Sequence, residues 1–276
     1  MWVRIFLTSL CVLMIASAMH FDPARRRSVL LARPAEGPHL RLMTWNIGYA
    51  ELEDDSRAHT KDLQLVAKTI LSNDPDAVAL QELTGPEQLK VLLGYLQKKY
   101  RGAVAPNGSA DRVEAVLVKE PKARFENVAA EQKFGVAAEF QPGPKSPEII
   151  LVSAHADAFS SARRRVFTGD VVDWSRTHAG KALVFIAGDF NFELRGRDDS
   201  HLYSDNVKND SEAYSYLLKY FRDLGREAGD TAVNDRRIDY VFGPAEAVFL
   251  RRVEVLRGEG AEQMDHWPVV VEVAYQ

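Results

Sequence analysis

Cysteine is nearly absent from this 276-residue chain: Cys11 is the only one. No intramolecular disulfide can form, so the fold must rest on its core alone. With 46% hydrophobic residues, a chain of this length can supply one. A basic excess is also missing. The formal net charge is −4, with 35 Lys and Arg against 39 Asp and Glu. Proteins that grip long nucleic acid through its phosphates carry the opposite balance, which disfavours a processive or non-specific DNA binder. Internal repeats and low-complexity tracts are absent too, leaving one ordinary domain, or at most two, for this length. No loop rich in aromatic residues stands out as a membrane-docking surface.

The long apolar run lies at the N-terminus. Met1-Trp2-Val3-Arg4 gives a short positive start, Ile5 to Ala18 is apolar or small, and Ala16-Ser17-Ala18 offers a small-x-small cleavage site. That order is expected of a secretory signal over residues 1–18, and hence of an exported protein, periplasmic or secreted. As a helix the run would reach about 21 Å, against roughly 30 Å of bilayer hydrocarbon. An uncleaved membrane anchor is the alternative, favoured by Arg25-Arg26-Arg27 just behind the run. Cleavage would remove Cys11 and Arg4, leaving a thiol-free chain one unit more acidic. Pro23, Pro34 and Pro38 mark residues 19–38 as a linker, so the folded domain is expected over residues 39–276.

Leu40 to Trp45 reads as a strand, and Lys61 to Leu71 as a helix whose apolar face is Leu63, Val66, Ile70 and Leu71. Ala77 to Leu80 is a short, continuously apolar strand, with a second helix from Pro86 to Lys98. Strands separated by turns then run from Arg101 to Val152, among them 114–118, 134–140 and 148–152. A helix over 161–177 leads into Ala182 to Ala187, the strongest buried-strand signal. A helix over 211–224 and strands over 238–242, 247–256 and 268–274 complete the pattern. Helices interrupt strands without strict alternation, which points to two packed sheets with helices outside. Arg163-Arg164-Arg165 and Arg251-Arg252 read as solvated surface charge, and Arg236-Arg237 as a local basic cluster.

Six strand-linked positions carry residues that can bind a metal or a phosphate. Asn46 follows the first strand, Glu82 the second, and His155 with Asp157 the strand at 149–152. Asp189 and Asn191 follow Val184 to Ala187, Asp239 lies within an apolar strand, and Asp265-His266 precedes the last strand. Singly, a carboxylate or Asn at a strand end commonly caps a turn or helix. Asp239 is harder to explain so simply, because an ionised carboxylate inside an apolar strand needs a partner, and a charged histidine is the obvious one. Together these types suit phosphoester cleavage. A hard cation takes carboxylate and carbonyl oxygens and keeps sites open for substrate, a base orients water, and Asn and His donors stabilise the phosphoryl oxygens.

Thr44-Trp45-Asn46, Gln81-Glu82, Ser153-Ala154-His155, Gly188-Asp189-Phe190-Asn191, Arg237-Ile238-Asp239-Tyr240 and Asp265-His266-Trp267-Pro268 occur in the order seen in the endonuclease/exonuclease/phosphatase superfamily. The chain resembles that superfamily from about Leu40 to Val273. Gly-Asp-Phe-Asn and Asp-His-x-Pro are the more specific elements. The resemblance implies a four-layered α/β sandwich, two facing mixed sheets flanked by helices, with its strand-end loops gathered at one edge. It implies that Glu82 is the principal metal ligand, with Asn46 beside it and Asp265 as a further ligand. Asp189 then orients or activates the attacking water, while Asn191 and His155 contact the phosphate. Asp239 and His266 form a carboxylate–imidazole pair in which His266 serves as base or as cationic stabiliser, and Asp157 is an assistant. Mg2+ is the implied cofactor, with Mn2+ or Ca2+ as alternatives. The substrate is a phosphorylated one, whether nucleic acid, lipid head group or small phosphoester, and no obligate protein partner is evident for what is expected to be a monomer. Two departures stand out: Glu114 to Lys119 lacks the Gly- and Ser-containing pattern of many members, and Met264 stands where Ser often precedes Asp-His.

Overall fold

Strands that are apolar on both faces need a layer on each side, and Ala77–Leu83 and Leu183–Asp189 have that character. The computed structural model describes residues 27–30, 37–48, 60–106, 112–130, 133–196, 204–258, 261 and 264–275. It places these two strands inside two different sheets. One sheet has seven strands in the order β1 (Arg27–Leu30), β12 (Val248–Val255), β13 (Val269–Tyr275), β2 (His39–Asn46), β3 (Ala77–Leu83), β5 (Val113–Val118), β4 (Arg101–Val104). The other has six, in the order β10 (Phe221–Asp223), β11 (Asp239–Pro244), β9 (Leu183–Asp189), β8 (Ile149–His155), β7 (Lys133–Phe140), β6 (Arg124–Ala130). Both are mixed. The pairs β2–β3 and β8–β9 are parallel, and the remaining pairings are antiparallel. A parallel pair needs a crossover, which α1 (Thr60–Asn73) and α3 (Ser161–His178) supply.

The period-2 alternation of side chains divides the core into three layers. Leu40, Leu42, Ala77, Ala79, Leu151, Phe185 and Val241 meet between the sheets. Met43, Trp45, Val78 and Leu80 face outward under α1 and α2 (Pro86–Tyr95). Ile150, Val152, Ile186 and Phe242 face outward under α3 and α4 (Val207–Leu218). Each fully buried Leu or Val of this kind contributes about 1.5–3 kcal/mol. The result is the expected four-layered sandwich. The C-terminal ends of all four parallel strands come to one edge, where ligands of open α/β sheets bind.

Several sequence expectations need correction. The segment 19–38 is not wholly a linker, since Arg27–Leu30 pairs antiparallel with Leu30↔Arg252 through Arg27↔Val255. The edge of β12 offers unpaired main-chain groups that a short segment between Pro23 and Pro34 can complete. The helix expected over 211–224 starts at Val207, where the Asn206 side chain accepts from Lys208 N at 3.1 Å, and ends at Leu218. Phe221–Asp223 then pairs with β11. Helix α2 stops at Tyr95 and turns over 96–98, where Gln97 and Lys98 take positive φ. Arg164 is not a surface charge. It is fully buried in α3, bonded through Nε and Nη2 to Asp210 at 2.7 and 2.9 Å. Arg251 and Arg252 are half-buried and lie against Glu272 and Glu254. Among the described residues no helix is long and apolar enough to cross a membrane. The export signal at 1–18 falls outside the described residues.

Candidate active site

Strand register assembles the site. His155 pairs with Asp189 across β8 and β9, and Asp239 pairs with Asp189 across β9 and β11. Three chemistry-bearing side chains therefore stand in one row at the edge of the six-stranded sheet. Two glycine-type constraints hold that row in place. Gly188 has φ +151, and a Cβ there would lie 1.8 Å from the Ala154 carbonyl oxygen, so only glycine lets β9 lie this close to β8. After it, Phe190 and Phe192 pack inward against Tyr240 and Phe242. Asn191, at φ +53, turns toward the site and donates its amide N–H to Asp189 Oδ1 at 2.9 Å.

The seven-stranded sheet closes the row from the opposite side. Asn46 ends β2, and its Nδ2 donates to Asp189 Oδ2 at 3.1 Å. Glu82 lies within β3, not past its end. A register shift between Leu80 and Leu83, with Glu82 itself at φ +61, re-aims its carboxylate toward the site. Beneath it, Gln81 Nε2 donates to Ser153 Oγ, and Ser153 Oγ donates to Leu80 O, both at 3.0 Å. These bonds tie the end of β3 to the end of β8. Asp265 Oδ1 lies 3.6 Å from where a Cβ on Gly48 would sit, and Gly48 N donates to Asn46 Oδ1 at 3.0 Å, so Asp265 borders Asn46.

His266 is the electrostatic centre. Its Nδ1 lies 3.0 and 3.1 Å from the two oxygens of Asp239, and its Nε2 is 3.7 Å from Asp189 Oδ2. Burial alone would discharge it. The carboxylates of Asp239, first, and Asp189 outweigh burial and carry its pKa up to about 10. Asp189 is also shifted upward, out of the usual carboxylate range. Burial, offset in part by His266 and reinforced by Asp239, raises it to about 6. Asp239 is oriented by Thr231, whose hydroxyl donates to Oδ2 at 2.7 Å and accepts from Asp239 N.

His155 has the opposite character. Burial, aided by Lys133, His266 and Arg112, holds it well below the ordinary value, so it is neutral. Its Nδ1 faces Glu114 Oε1 at 3.6 Å, and its Nε2 faces Glu82 and Asp189 at 3.8 and 3.6 Å. These gaps are too long for direct hydrogen bonds, and the buried Nδ1 has no hydrogen-bond partner among the described residues. Burial pushes Glu114 up to about 7. Near neutral pH the ring of His155 therefore faces Glu114 as a neutral imidazole.

Of the eight predicted site residues, His155, Asp189, Asn191, Asp239, His266, Asn46, Glu82 and Asp265 all come to this edge. Asp157 does not join them. Its Oδ1 accepts from Phe159 N and Ser160 N at 2.8 Å each, which makes it the cap of the turn into α3. Glu114, Arg112 and Thr231 were missed. Glu114 carried the same signal that singled out Asp239, a lone acid in an apolar strand. Arg112, which donates to Glu82 Oε1 at 2.9 Å, and Thr231 gave no local signal.

Two donor sets could hold a cation. Asp189, Asp239 and His266 place their ligand atoms within 4.8 Å of one another. A metal there would have to replace the proton that makes His266 a cation, because a histidine ligand must be neutral. The set of Glu82, Asn46 and Asp265 offers oxygens alone, which fits a hard divalent ion without that competition.

The sequence model that matches names the class of protein to which this two-sheet sandwich belongs. Residues 43–267 match the sequence model of the Endonuclease/Exonuclease/phosphatase family, and the chain belongs to it. Members of this family are phosphoesterase hydrolases, nucleases and phosphatases among them. Nocturnin of Drosophila melanogaster is 22% identical over 200 residues, covering 60% of this chain. The chain spans only 31% of that relative's length. The human Nocturnin catalytic domain with bound sulfate superposes with a TM-score of 0.68 at 18% identity, over 91% of this chain and 97% of that one. A mannosyl-6-phosphatase of Bacteroides thetaiotaomicron superposes with a TM-score of 0.65 at 17% identity, over 86% of this chain and all of that one.

Proposed function

We propose that the chain hydrolyses a phosphodiester outside the cytoplasm, depending on a divalent cation for which Mg2+ is the first choice. The observation that carries this reading is the chain of contacts Asn46–Asp189–His266–Asp239, which joins the two sheets through one carboxylate that can titrate near neutrality. Held by the oxygens of Glu82, Asn46 and Asp265, a divalent ion would supply positive charge against the phosphoryl oxygens. The protein's own groups do the rest. Asp189, ionised above about 6, orients a water and takes its proton as the water oxygen bonds to phosphorus in line with the departing ester oxygen. Asn191 and neutral His155 donate to non-bridging oxygens. His266, charged up to about 10, donates from Nε2 to the charge that develops on the phosphoryl group or leaving oxygen. A histidine so strongly protonated is a cationic stabiliser and not the base at neutral pH.

A phosphomonoester is the second reading, supported by the mannosyl-6-phosphatase of the same fold. The test is a panel of bis-p-nitrophenyl phosphate, p-nitrophenyl phosphate, DNA, RNA and sphingomyelin with Mg2+, Mn2+, Ca2+ or chelator. Metal-dependent cleavage of at least one ester, lost about 100-fold or more in Asp189→Ala and His266→Ala, supports the site. Unchanged activity in both variants refutes the assignment. A wild type inert across the panel would favour a non-catalytic binding protein. Export belongs to the proposal as well: N-terminal sequencing of exported material is expected to start at Met19, and an intact Met1 would instead indicate a retained anchor.

A further inference from the structure

Arginines around the site are committed to carboxylates, with one exception. Arg112 pairs with Glu82, Arg195 with Asp230, and Arg237 with Asp223. Among the described residues, Arg236 has no carboxylate within ion-pair distance. Its Nη2 reaches Asn191 Oδ1 at 3.4 Å, and its Nε is buried without a hydrogen-bond partner. A charged group with a buried donor left unpaired is costly to keep in a folded protein, and its cost falls when an anion arrives.

The backbone that carries the guanidinium is held in place. Thr231 N and Ala232 N donate to Arg236 O at 2.8 and 3.0 Å, closing a tight hairpin. Val233, Asn234 and Asp235 form its three-residue turn, with Asn234 and Asp235 at φ +59 and +54, a conformation these two residue types tolerate. The hairpin is docked on the catalytic loop. Val233 N donates to Asp265 O, Trp267 N donates to Thr231 O, and the Thr231 hydroxyl holds Asp239. The contacts that fix the Asp239–His266 pair therefore also fix the backbone that carries Arg236, one side chain away from the phosphate-contacting Asn191.

We propose that Arg236 is a specificity-determining residue that binds a second negative charge on the substrate, beyond the single charge of an isolated phosphodiester. The proposal rests on the hydrolytic reading above. A planar guanidinium with no carboxylate on its fork matches phosphoryl oxygens in geometry and charge. The second charge has two sources, the extra ionised oxygen of a monoester or a phosphate neighbouring the scissile one.

Three chromogenic substrates separate these sources. Bis-p-nitrophenyl phosphate carries one charge, and p-nitrophenyl phosphate carries two on the scissile group. Thymidine 3′-phosphate 5′-(p-nitrophenyl phosphate) places a second phosphate beside a scissile diester. In Arg236→Ala, kcat/KM for at least one doubly charged substrate is expected to fall about 10- to 100-fold relative to that for bis-p-nitrophenyl phosphate, with Arg236→Lys in between. The substrate that suffers identifies the source. An equal loss on all three overturns the proposal. Calorimetric titration of metal-free protein with thymidine 3′,5′-bisphosphate keeps the two readings apart. If wild type cleaves no ester, the hydrolytic reading fails. The anion subsite still stands if Arg236→Ala binds the bisphosphate at least tenfold more weakly, and falls if binding is equal. Should Arg236→Ala not fold, the same comparison is made with Arg236→Lys, since the hairpin's main-chain bonds do not involve the side chain.

Discussion

Asp239→Asn attacks the charge of His266 while keeping the shape of the partner. In the wild type both Asp239 oxygens lie within 3.1 Å of His266 Nδ1, and Asp239 is the foremost cause that raises the imidazole to about 10 against its burial. Asparagine can accept the same hydrogen bond but supplies no charge. At pH 8.5 the wild-type ring is almost wholly protonated, whereas a histidine at its ordinary value of about 6.5 is charged in roughly one molecule in a hundred. The variant should therefore lose activity on the order of 100-fold at pH 8.5 and only severalfold at pH 6, where even an ordinary histidine is mostly charged. The assay is the pH profile of kcat/KM, alongside NMR titration of the His266 ring proton. A loss by the same factor at both pH values, or an unmoved ring titration, would refute the reasoning. Stability should follow the same sign. Because the folded pKa lies above the unfolded one, the stabilisation is fully present below about 6.5 and disappears as pH rises through about 10. Denaturant midpoints should fall across that window in the wild type and stay flatter in the variant.

Asp189 must be ionised to accept a proton, so below about 6 the rate should fall about tenfold per pH unit; a plateau reaching pH 4.5 would remove it as the base. Gly188→Ala puts a Cβ 1.8 Å from the Ala154 carbonyl at a φ that side chains avoid, and should cost at least ~3 kcal/mol in urea melts or prevent folding; a near-native midpoint would contradict the packing. Arg164→Met strands the fully buried Asp210 and should cost about 3–5 kcal/mol, while Arg164→Met with Asp210→Leu should cost less than either single change added to the other. Strict additivity in denaturant titrations would show that the pair is not coupled. Chelation should abolish activity, and Glu82→Gln should raise the Mn2+ concentration needed for half-maximal rate roughly tenfold or more; an unchanged requirement would move the cation to the Asp189–Asp239–His266 group.

Sequence revealed the site where chemistry and strand pattern coincided. Gly188-Asp189-Phe190-Asn191 follows the most apolar strand, and Asp239 interrupts another, so both were visible in a short window. What escaped depends on partners distant in the chain. Thr231 matters because it faces Asp239 across a hairpin, and Arg112 because β5 brings it beside Glu82. Arg164 was hidden by its exposed neighbours Arg163 and Arg165. On α3 it shares a buried face with Ser161, Thr168 and Val171, a helical spacing that a reading by cluster ignores. The error at 211–224 has a similar origin. Phe221 looks like the end of an apolar helix face until β11 is there to pair with it.

The division of labour between the sheets explains why the site needs both. Oxygen donors suited to a cation, Glu82 and Asn46, come from the seven-stranded sheet. Groups suited to proton and phosphoryl chemistry, His155, Asp189 and Asp239, stand in one row on the six-stranded sheet. Neither set can act unless the sheets hold their relative position to a fraction of an ångström, because the attacking water must lie in line with the bond that breaks. The interior between the sheets is mostly aliphatic, and aliphatic packing is non-directional. The polar links at the catalytic edge supply direction. Asn46 to Asp189, Gln81 to Ser153, and Ser153 to Leu80 O each cross from one sheet to the other. All are buried, so a slip of one sheet would leave several polar groups unpaired away from water, at roughly 1–3 kcal/mol each. The same bonds that keep the sandwich in register therefore set the geometry of the reaction.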